Sequence, residues 1–315
     1  MKTRPLGRSG LSVQALALGG NVFGWSIDEA TSFRVLDAFV DAGLDLIDTA
    51  DVYPAWAPGR QGGESETIIG RWLAQGGRRD RVVIATKVAK WTQRKGLAPA
   101  NIQAAADESL RRLGVDAIDL YFAHEDDASV PLADTLGAFA RLIEQGKVRA
   151  IGASNYSAPR LAEALATSAK LGLPRYEVLQ PEYSLVARKD YEARLAPLVR
   201  EHDLGVVGYY SLASGFLTGK YRSEADLGKS KARGSAAARH LNGHGLRVLA
   251  ALDDAAKRHD ATPAQVALAW LIAQPGITAP IASATSVEQV RELAGATRLK
   301  LAQDDLDALE RASGT

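Results

Sequence analysis

From residue 15 onward the chain repeats one unit: a short apolar run, a turn, and a stretch whose apolar residues recur with helical spacing. Runs that read as strands cover 15–20, 44–48, 82–87, 118–124, 148–154, 176–180, 205–209 and 277–281. Helical spacing follows at 28–42, 64–74, 99–113, 131–145, 158–171, 191–202, 263–273 and 287–293. Asp28 suits an N-cap, Pro99 a first helical turn, and Gly146 and Gly172 stand where helices should stop. Parallel strands must be covered on both faces, so eight strand–helix units favour a closed (β/α)8 TIM barrel over an open sheet. No Gly-x-Gly-x-x-Gly follows any strand, which disfavours a dinucleotide-binding doubly wound domain. A length of 315 residues, 46% of them hydrophobic, suffices for such a core. With no linker or low-complexity tract, the expectation is one barrel domain spanning 1–315.

Three regions stand outside the repeat. Residues 4–13 read as two short strands around a Gly/Ser turn, an N-terminal hairpin that could plug the barrel. Residues 211–245, rich in Gly, Ser, Lys and Arg, form a long loop after the seventh strand, where barrels often bind phosphate. Residues 246–259 and 302–312 have the spacing of extra helices. A net charge of +1 gives no electrostatic argument for nucleic acid or an acidic membrane surface. The absence of cysteine excludes disulfides, thiolate metal sites and thiol nucleophiles, and no metal site is expected. The start, Met1-Lys2-Thr3-Arg4-Pro5, lacks the apolar stretch of a secretory signal, and the uncharged runs 11–27 and 261–287 are interrupted by polar residues, Gly or Pro. The expected setting is the cytoplasm.

In a barrel, the C-terminal ends of strands two, three and four carry Asp48, Lys87 and His124, and Tyr53 lies just past Asp48, so all four converge on one mouth. A tyrosine titrates near pH 10, and a neighbouring ammonium makes it a better proton donor by stabilising its phenolate. Lys87 would supply that charge, Asp48 would hold Lys87, and His124 would hydrogen-bond a substrate oxygen or relay a proton. Each residue alone also suits a structural role: a cap, a solvated lysine, a packed phenol. A glycosidase built on Asp48, Asp51 or Glu182 would need two carboxyls at one bond and has no use for Lys87.

These residues fall in a longer pattern. Asp48-Thr49-Ala50 followed by Tyr53, Gly63-Glu64-Ser65-Glu66, Thr86-Lys87, His124 with Asp127, and the run from Gly146 to Asn155 occur in the order found in the aldo-keto reductase superfamily, which the chain resembles over nearly its whole length. The resemblance implies that Asp48, Tyr53, Lys87 and His124 form a catalytic tetrad, with Tyr53 the general acid in reduction of an aldehyde or ketone, or its partner in oxidation of an alcohol or sugar. It implies hydride from a nicotinamide held by Ser154, Asn155 and Gln180 and stacked on Tyr209. Tyr210, Ser211, Leu212, Gly215, Leu217, Thr218 and Lys220 match a loop over the cofactor pyrophosphate. Many relatives have Ser-Pro where Tyr210-Ser211 stands, so the start of this loop is expected to be less fixed.

Ser283, Ala284, Thr285 and Gln289 match the adenosine end. Thr285 replaces an arginine that clamps a 2′-phosphate in many relatives, and Leu293 replaces an asparagine near adenine, so NADP(H) is the first expectation and NAD(H) the alternative. Trp25, Trp56 and Trp91 could line a pocket for an apolar or sugar substrate, or pack their own loops. A small-molecule carbonyl or alcohol is the expected partner, with substrate and oligomeric state left open. The competing reading is a nucleotide-sensing regulatory subunit of the channel β-subunit type, with little turnover.

Overall fold

A computed structural model describes residues 3–230 and 232–314. The first two residues of the expected N-terminal segment, position 231 in the long loop and the last residue lie outside that description.

Eight parallel strands run in the order β10, β3, β4, β5, β6, β7, β8, β9: β3 (Ala17–Gly19), β4 (Leu46–Asp48), β5 (Val83–Val88), β6 (Ile118–Ala123), β7 (Val148–Ser154), β8 (Val178–Gln180), β9 (Gly205–Val206) and β10 (Ile281–Ala282). No ladder joins β9 to β10, yet backbone bonds cross the seam. Thr278 and Ala279 N–H both donate to Val206 O, and Ile281 N–H donates to Gly208 O at 2.8 Å. The curled sheet with its surrounding helices is the (β/α)8 arrangement expected from the repeat. The last two strands differ from expectation: β9 ends at Val206, and β10 starts at Ile281 rather than at 277, residues 278 and 279 both donating to Val206 O instead of entering a regular ladder.

The barrel interior is a separate apolar cluster that includes Ala17, Leu46, Ala85, Leu120, Phe122, Ala150, Val178, Val207, Ala279 and Ile281. Leu6 and Val13 complete it. They come from the antiparallel hairpin β1 (Arg4–Pro5) and β2 (Ser12–Val13), which closes the bottom of the barrel as expected. Gly7, with φ of +58°, is needed there, since a Cβ would lie 2.3 Å from Glu177 O. The larger cluster lies between the sheet's outer face and the helices.

Helices fall where periodicity placed them, among them Glu29–Asp41, Pro99–Leu113, Ala158–Leu171 and Pro263–Ala273. Asp28 caps the first, its Oδ1 accepting from Thr31 N–H at 2.8 Å. The expected helix at 191–202 opens instead on a π-turn, Tyr191–Leu195, before Ala196–His202. Pro197, past the first turn of the expected helix, lacks the N–H that a regular ladder would give to Ala193 O, and the ladder widens ahead of it.

The long loop, whose conformation the sequence left open, carries local structure of its own. Residues 211–245 carry two 3-10 turns, Ala213–Thr218 and Glu224–Lys229, and a short helix, Gly234–Ala238; the next helix, Gly243–Arg258, starts inside the expected loop. Ser223 and Asp226 form a capping box, and Arg222 pairs with both oxygens of Asp253 at 2.6 and 2.7 Å. Among the described residues no helix is long and apolar enough to cross a membrane.

Candidate functional site

Strand side chains alternate between faces, so the residue two beyond an interior residue is again interior. Counting on from the interior cluster, Ala17 leads to Gly19, Leu46 to Asp48, Ala85 to Lys87, Phe122 to His124, Val178 to Gln180, Val207 to Tyr209 and Ile281 to Ser283. On β7 the count from Ala150 passes Gly152 to Ser154. Glycine is required at 152 because a Cβ would lie 2.4 Å from Phe122. Parity thus brings the expected strand-end residues together at the C-terminal mouth.

The motif after β4 is held by a hydroxyl chain. Thr49 Oγ1 lies 2.8 Å from Ser65 Oγ, which donates to Gly20 O at 2.8 Å, so the ends of β3 and β4 are tied to the helix Glu64–Leu73. Behind them Glu66 is fully buried, accepting from Thr86 Oγ1 at 2.5 Å and Arg112 Nε at 2.6 Å. Asp127, the other motif acid, accepts from Leu97 N–H at 2.9 Å and pins a neighbouring loop.

At the centre Lys87, fully buried, donates to Asp48 Oδ2 and to Thr49 O, both at 2.7 Å. Its Nζ lies 3.5 Å from the Tyr53 hydroxyl. Asp48 Oδ1 accepts from Gln180 Nε2 at 2.8 Å, so both carboxylate oxygens are engaged. The His124 and Tyr53 rings meet edge-on, 5.9 Å between centroids. Buried Nδ1 of His124 has no hydrogen-bond partner.

Burial pulls the Lys87 ammonium below its usual value, although Asp48 opposes it. Burial also holds His124 well below the usual imidazole value, helped by the positive charges of Lys87 and Lys90, so the ring is neutral at neutral pH. Tyr53 departs from expectation. Desolvation of its phenol, and then the charge of Asp48, push it well above 10. The ammonium of Lys87 is matched by Asp48 and does not reverse this. The geometry keeps a protonated phenol beside a charge that a phenolate would meet on forming.

Ser154 is buried, its hydroxyl donating to Gln180 O at 2.9 Å. Asn155, at a left-handed φ of +56°, donates to His124 O at 2.8 Å and accepts from the Tyr209 hydroxyl at 2.8 Å. The half-buried Tyr209 ring stands beside them. In the loop beyond, Ser211 is buried and donates to Gly208 O at 3.1 Å, an anchor where a proline was expected to be missed. Gly215 and Leu217 N–H both donate to Leu212 O, Leu217 being fully buried, and Thr218 Oγ1 donates to Gly215 O. Lys220 is exposed, lies over the Tyr221 ring, and has no acidic partner among the described residues. Tyr210 reaches the rim, 42% exposed, and packs edge-on against Tyr209.

Ser283 donates to Asn21 Oδ1 at 2.8 Å, and Ala284 is fully buried. Thr285 gives both its N–H and its hydroxyl to Gln289 Oε1, and Leu293 is buried. These stations offer a dinucleotide polar but neutral contacts. The convergent amides near Tyr209 and the free ammonium of Lys220 fit its nicotinamide and phosphate ends.

Of the three tryptophans, two meet at the mouth. Trp25 packs edge-on against Trp56 at 5.6 Å, and Trp56 against Tyr53 at 5.4 Å. Trp91 is not with them: it is buried, donates to Gln61 O at 2.8 Å and lies beneath the Arg112 guanidinium. One residue that the sequence did not single out, Arg233, lies with these rings, and one that it did, Asp51, does not act as a free acid. Arg233, from the long loop, lies over the face of Trp25 at 5.4 Å. Asp51 is fully buried with neither oxygen hydrogen-bonded, and burial together with the charge of Glu66 pushes its carboxyl well above the usual range. It has no access to a glycosidic bond, which removes one of the carboxylates that a glycosidase would need.

A family model described as "Aldo/keto reductase family" matches residues 15–313. The chain is 37% identical over 314 residues to "Uncharacterized oxidoreductase YrpG" of Bacillus subtilis (strain 168), covering 96% of this chain and 93% of that protein. It is 33% identical over 336 residues to "Protein tas" of Escherichia coli (strain K12), covering 98% and 97%. It is also 33% identical over 301 residues to a "Probable voltage-gated potassium channel subunit beta" of Arabidopsis thaliana, covering 93% and 90%.

Proposed function

This chain belongs to the aldo/keto reductase family and is an oxidoreductase, and from that premise we propose that it reduces an aldehyde or ketone to an alcohol with NAD(P)H, Tyr53 giving the proton. The observation that carries the proposal is the buried Lys87–Asp48 pair with Lys87 Nζ 3.5 Å from the Tyr53 hydroxyl.

A bound nicotinamide would supply the hydride. Ser154, Asn155 and Gln180 would hold its carboxamide and Tyr209 its ring, which fixes the face presented to substrate. Backbone groups and side chains of 210–220, Lys220 above all, would hold the pyrophosphate, and Ser283, Ala284, Thr285 and Gln289 the adenosine end. His124, neutral, would donate an N–H to the carbonyl oxygen and set its position. As that oxygen gains negative charge, Tyr53 transfers its proton to it, and the phenolate left behind is met by the Lys87 ammonium. Solvent then returns a proton to Tyr53. A phenol held neutral suits reduction; the reverse direction would need the phenolate and should gain rate as pH rises.

NADP(H) is our first assignment. Thr285 and Leu293 offer no cation to a 2′-phosphate, so the preference for NADPH over NADH should be modest. Following reduced-nicotinamide absorbance with both cofactors, across a panel of aldehydes, ketones and sugars, tests reaction, cofactor and substrate together. Steady oxidation of cofactor is expected with at least one aldehyde. The likeness to a protein named as a channel β-subunit supports one other reading, a nucleotide-sensing regulatory role. Tight cofactor binding with almost no turnover across the panel would favour it.

A further inference from the structure

In segment 211–245 the described arginines differ in their partners. Arg222 is locked to Asp253, and Arg239 lies 3.5 Å from Glu182. Arg233 has aromatic neighbours only: its guanidinium lies over Trp25, the phenols of Tyr210, Tyr53 and Tyr221 are close enough to feel its charge, and no acid among the described residues pairs with it. It is half-buried, so part of its hydration is lost without an anion in return.

The backbone that carries it is fixed. A Cβ at the next residue, Gly234, would lie 1.9 Å from Leu227 O, and Ala237, one turn on, is fully buried. The backbone at the root of the Arg233 side chain is therefore held by close packing, and the guanidinium rests on the face of Trp25. From Trp25, which lies under the guanidinium, an edge-to-face aromatic series runs through Trp56 to Tyr53, the proposed proton donor. A flat substrate lying along this series, its carbonyl at Tyr53, would bring a substituent on its far side under Arg233. A planar guanidinium matches the two oxygens of a carboxylate.

Resting on the reductase reading, we propose that Arg233 determines substrate choice: the preferred substrates are aldehydes or ketones with a flat, aromatic body that bear a carboxylate, which Arg233 binds while Trp25 and Trp56 flank the body. Oxyanions could also come from the cofactor phosphates, and the test separates the two sources. The ratio of kcat/KM for para-carboxybenzaldehyde to that for para-tolualdehyde is measured in the wild type, Arg233→Met and Arg233→Lys, with NADPH affinity from quenching of protein fluorescence.

Loss of one charge-assisted contact should lower the ratio about tenfold to a hundredfold in Arg233→Met, mostly through KM, with partial recovery in Arg233→Lys. An unchanged ratio overturns the proposal. So does an equal loss for both aldehydes with weakened NADPH binding, which would give the guanidinium to the cofactor. Binding of benzoate against benzamide, followed by tryptophan fluorescence, needs no turnover. A benzoate preference that vanishes in Arg233→Met upholds the carboxylate site even if neither aldehyde is reduced and the reductase reading fails, whereas equal binding of the two overturns it.

Discussion

Asp48→Leu should be among the most damaging single changes in the barrel, and the reason can be worked from its contacts. The carboxylate is 3% exposed, and among the described residues it is the only anion hydrogen-bonded to the Lys87 ammonium, which is itself fully buried. Removing it leaves Lys87 with the Thr49 carbonyl and a long contact to the Tyr53 hydroxyl, both neutral, and Gln180 Nε2 without its acceptor. Breaking a buried pair from one side costs about 3–5 kcal/mol, whereas replacing both members with apolar groups of similar size is often nearly neutral. Lys87→Met alone should therefore also destabilise by several kcal/mol, while the double variant Asp48→Leu/Lys87→Met should lose far less than the sum. A coupling of about 3 kcal/mol or more is expected.

Urea unfolding read by tryptophan fluorescence measures this cycle. The pH dependence gives a second check with a defined sign. In Asp48→Leu the folded-state value of Lys87, already lowered by burial, falls further below its unfolded value of about 10.4. The unfolded chain then binds the proton more readily, so the penalty is largest near neutral pH and lessens as pH rises toward about 10. Additive losses in the two single variants, with no pH trend, would refute the reasoning.

Two further outcomes follow from buried groups. Asp51→Asn should stabilise the protein at neutral and alkaline pH, because the folded carboxyl titrates well above the unfolded one and folding at high pH must retain its proton; the gain should fade as pH drops toward about 4. Thermal melts at several pH values check it, each kcal/mol being worth roughly 2–4 °C, and a lower melting temperature at alkaline pH would count against a neutral Asp51. Gly152→Ala places a Cβ 2.4 Å from Phe122 and 2.8 Å from Val178 O, and should cost about 1–3 kcal/mol in urea unfolding; wild-type stability would mean that the barrel interior is looser than these contacts indicate.

The barrel and the central residues were legible because both rest on short-range pattern. Strand–helix alternation gives the units, and strand-end position gives Asp48, Lys87 and His124 a common mouth. Two-residue parity from the interior cluster would also have placed Gln180, Tyr209 and Ser283 without further information. What the pattern could not carry were contacts between distant segments. Trp91 follows Lys87 by four residues, but its indole is satisfied by Gln61 and roofed by Arg112, so it turns away from the mouth.

The segment 211–245 lacks apolar periodicity, and its turns depend on Arg222 meeting Asp253 and Gly234 meeting Leu227, pairs that no local spacing announces. For the same reason nothing in the spacing singled out Arg233 from the other cations of the segment. Asp51, in a motif read for its neighbours, was not expected to be buried without partners. The sign of the Tyr53 perturbation was missed because desolvation outweighs the nearby ammonium, whose charge Asp48 already offsets.

Replacement of one hydroxyl tests the central claim most directly. Tyr53→Phe keeps the ring beside Trp56 and His124 and removes only the proton donor. With NADPH binding measured by fluorescence and aldehyde-dependent oxidation by absorbance, cofactor affinity should be retained while turnover falls by roughly two or more decades. Turnover within a few-fold of the wild type would contradict the assignment of Tyr53 as the proton donor.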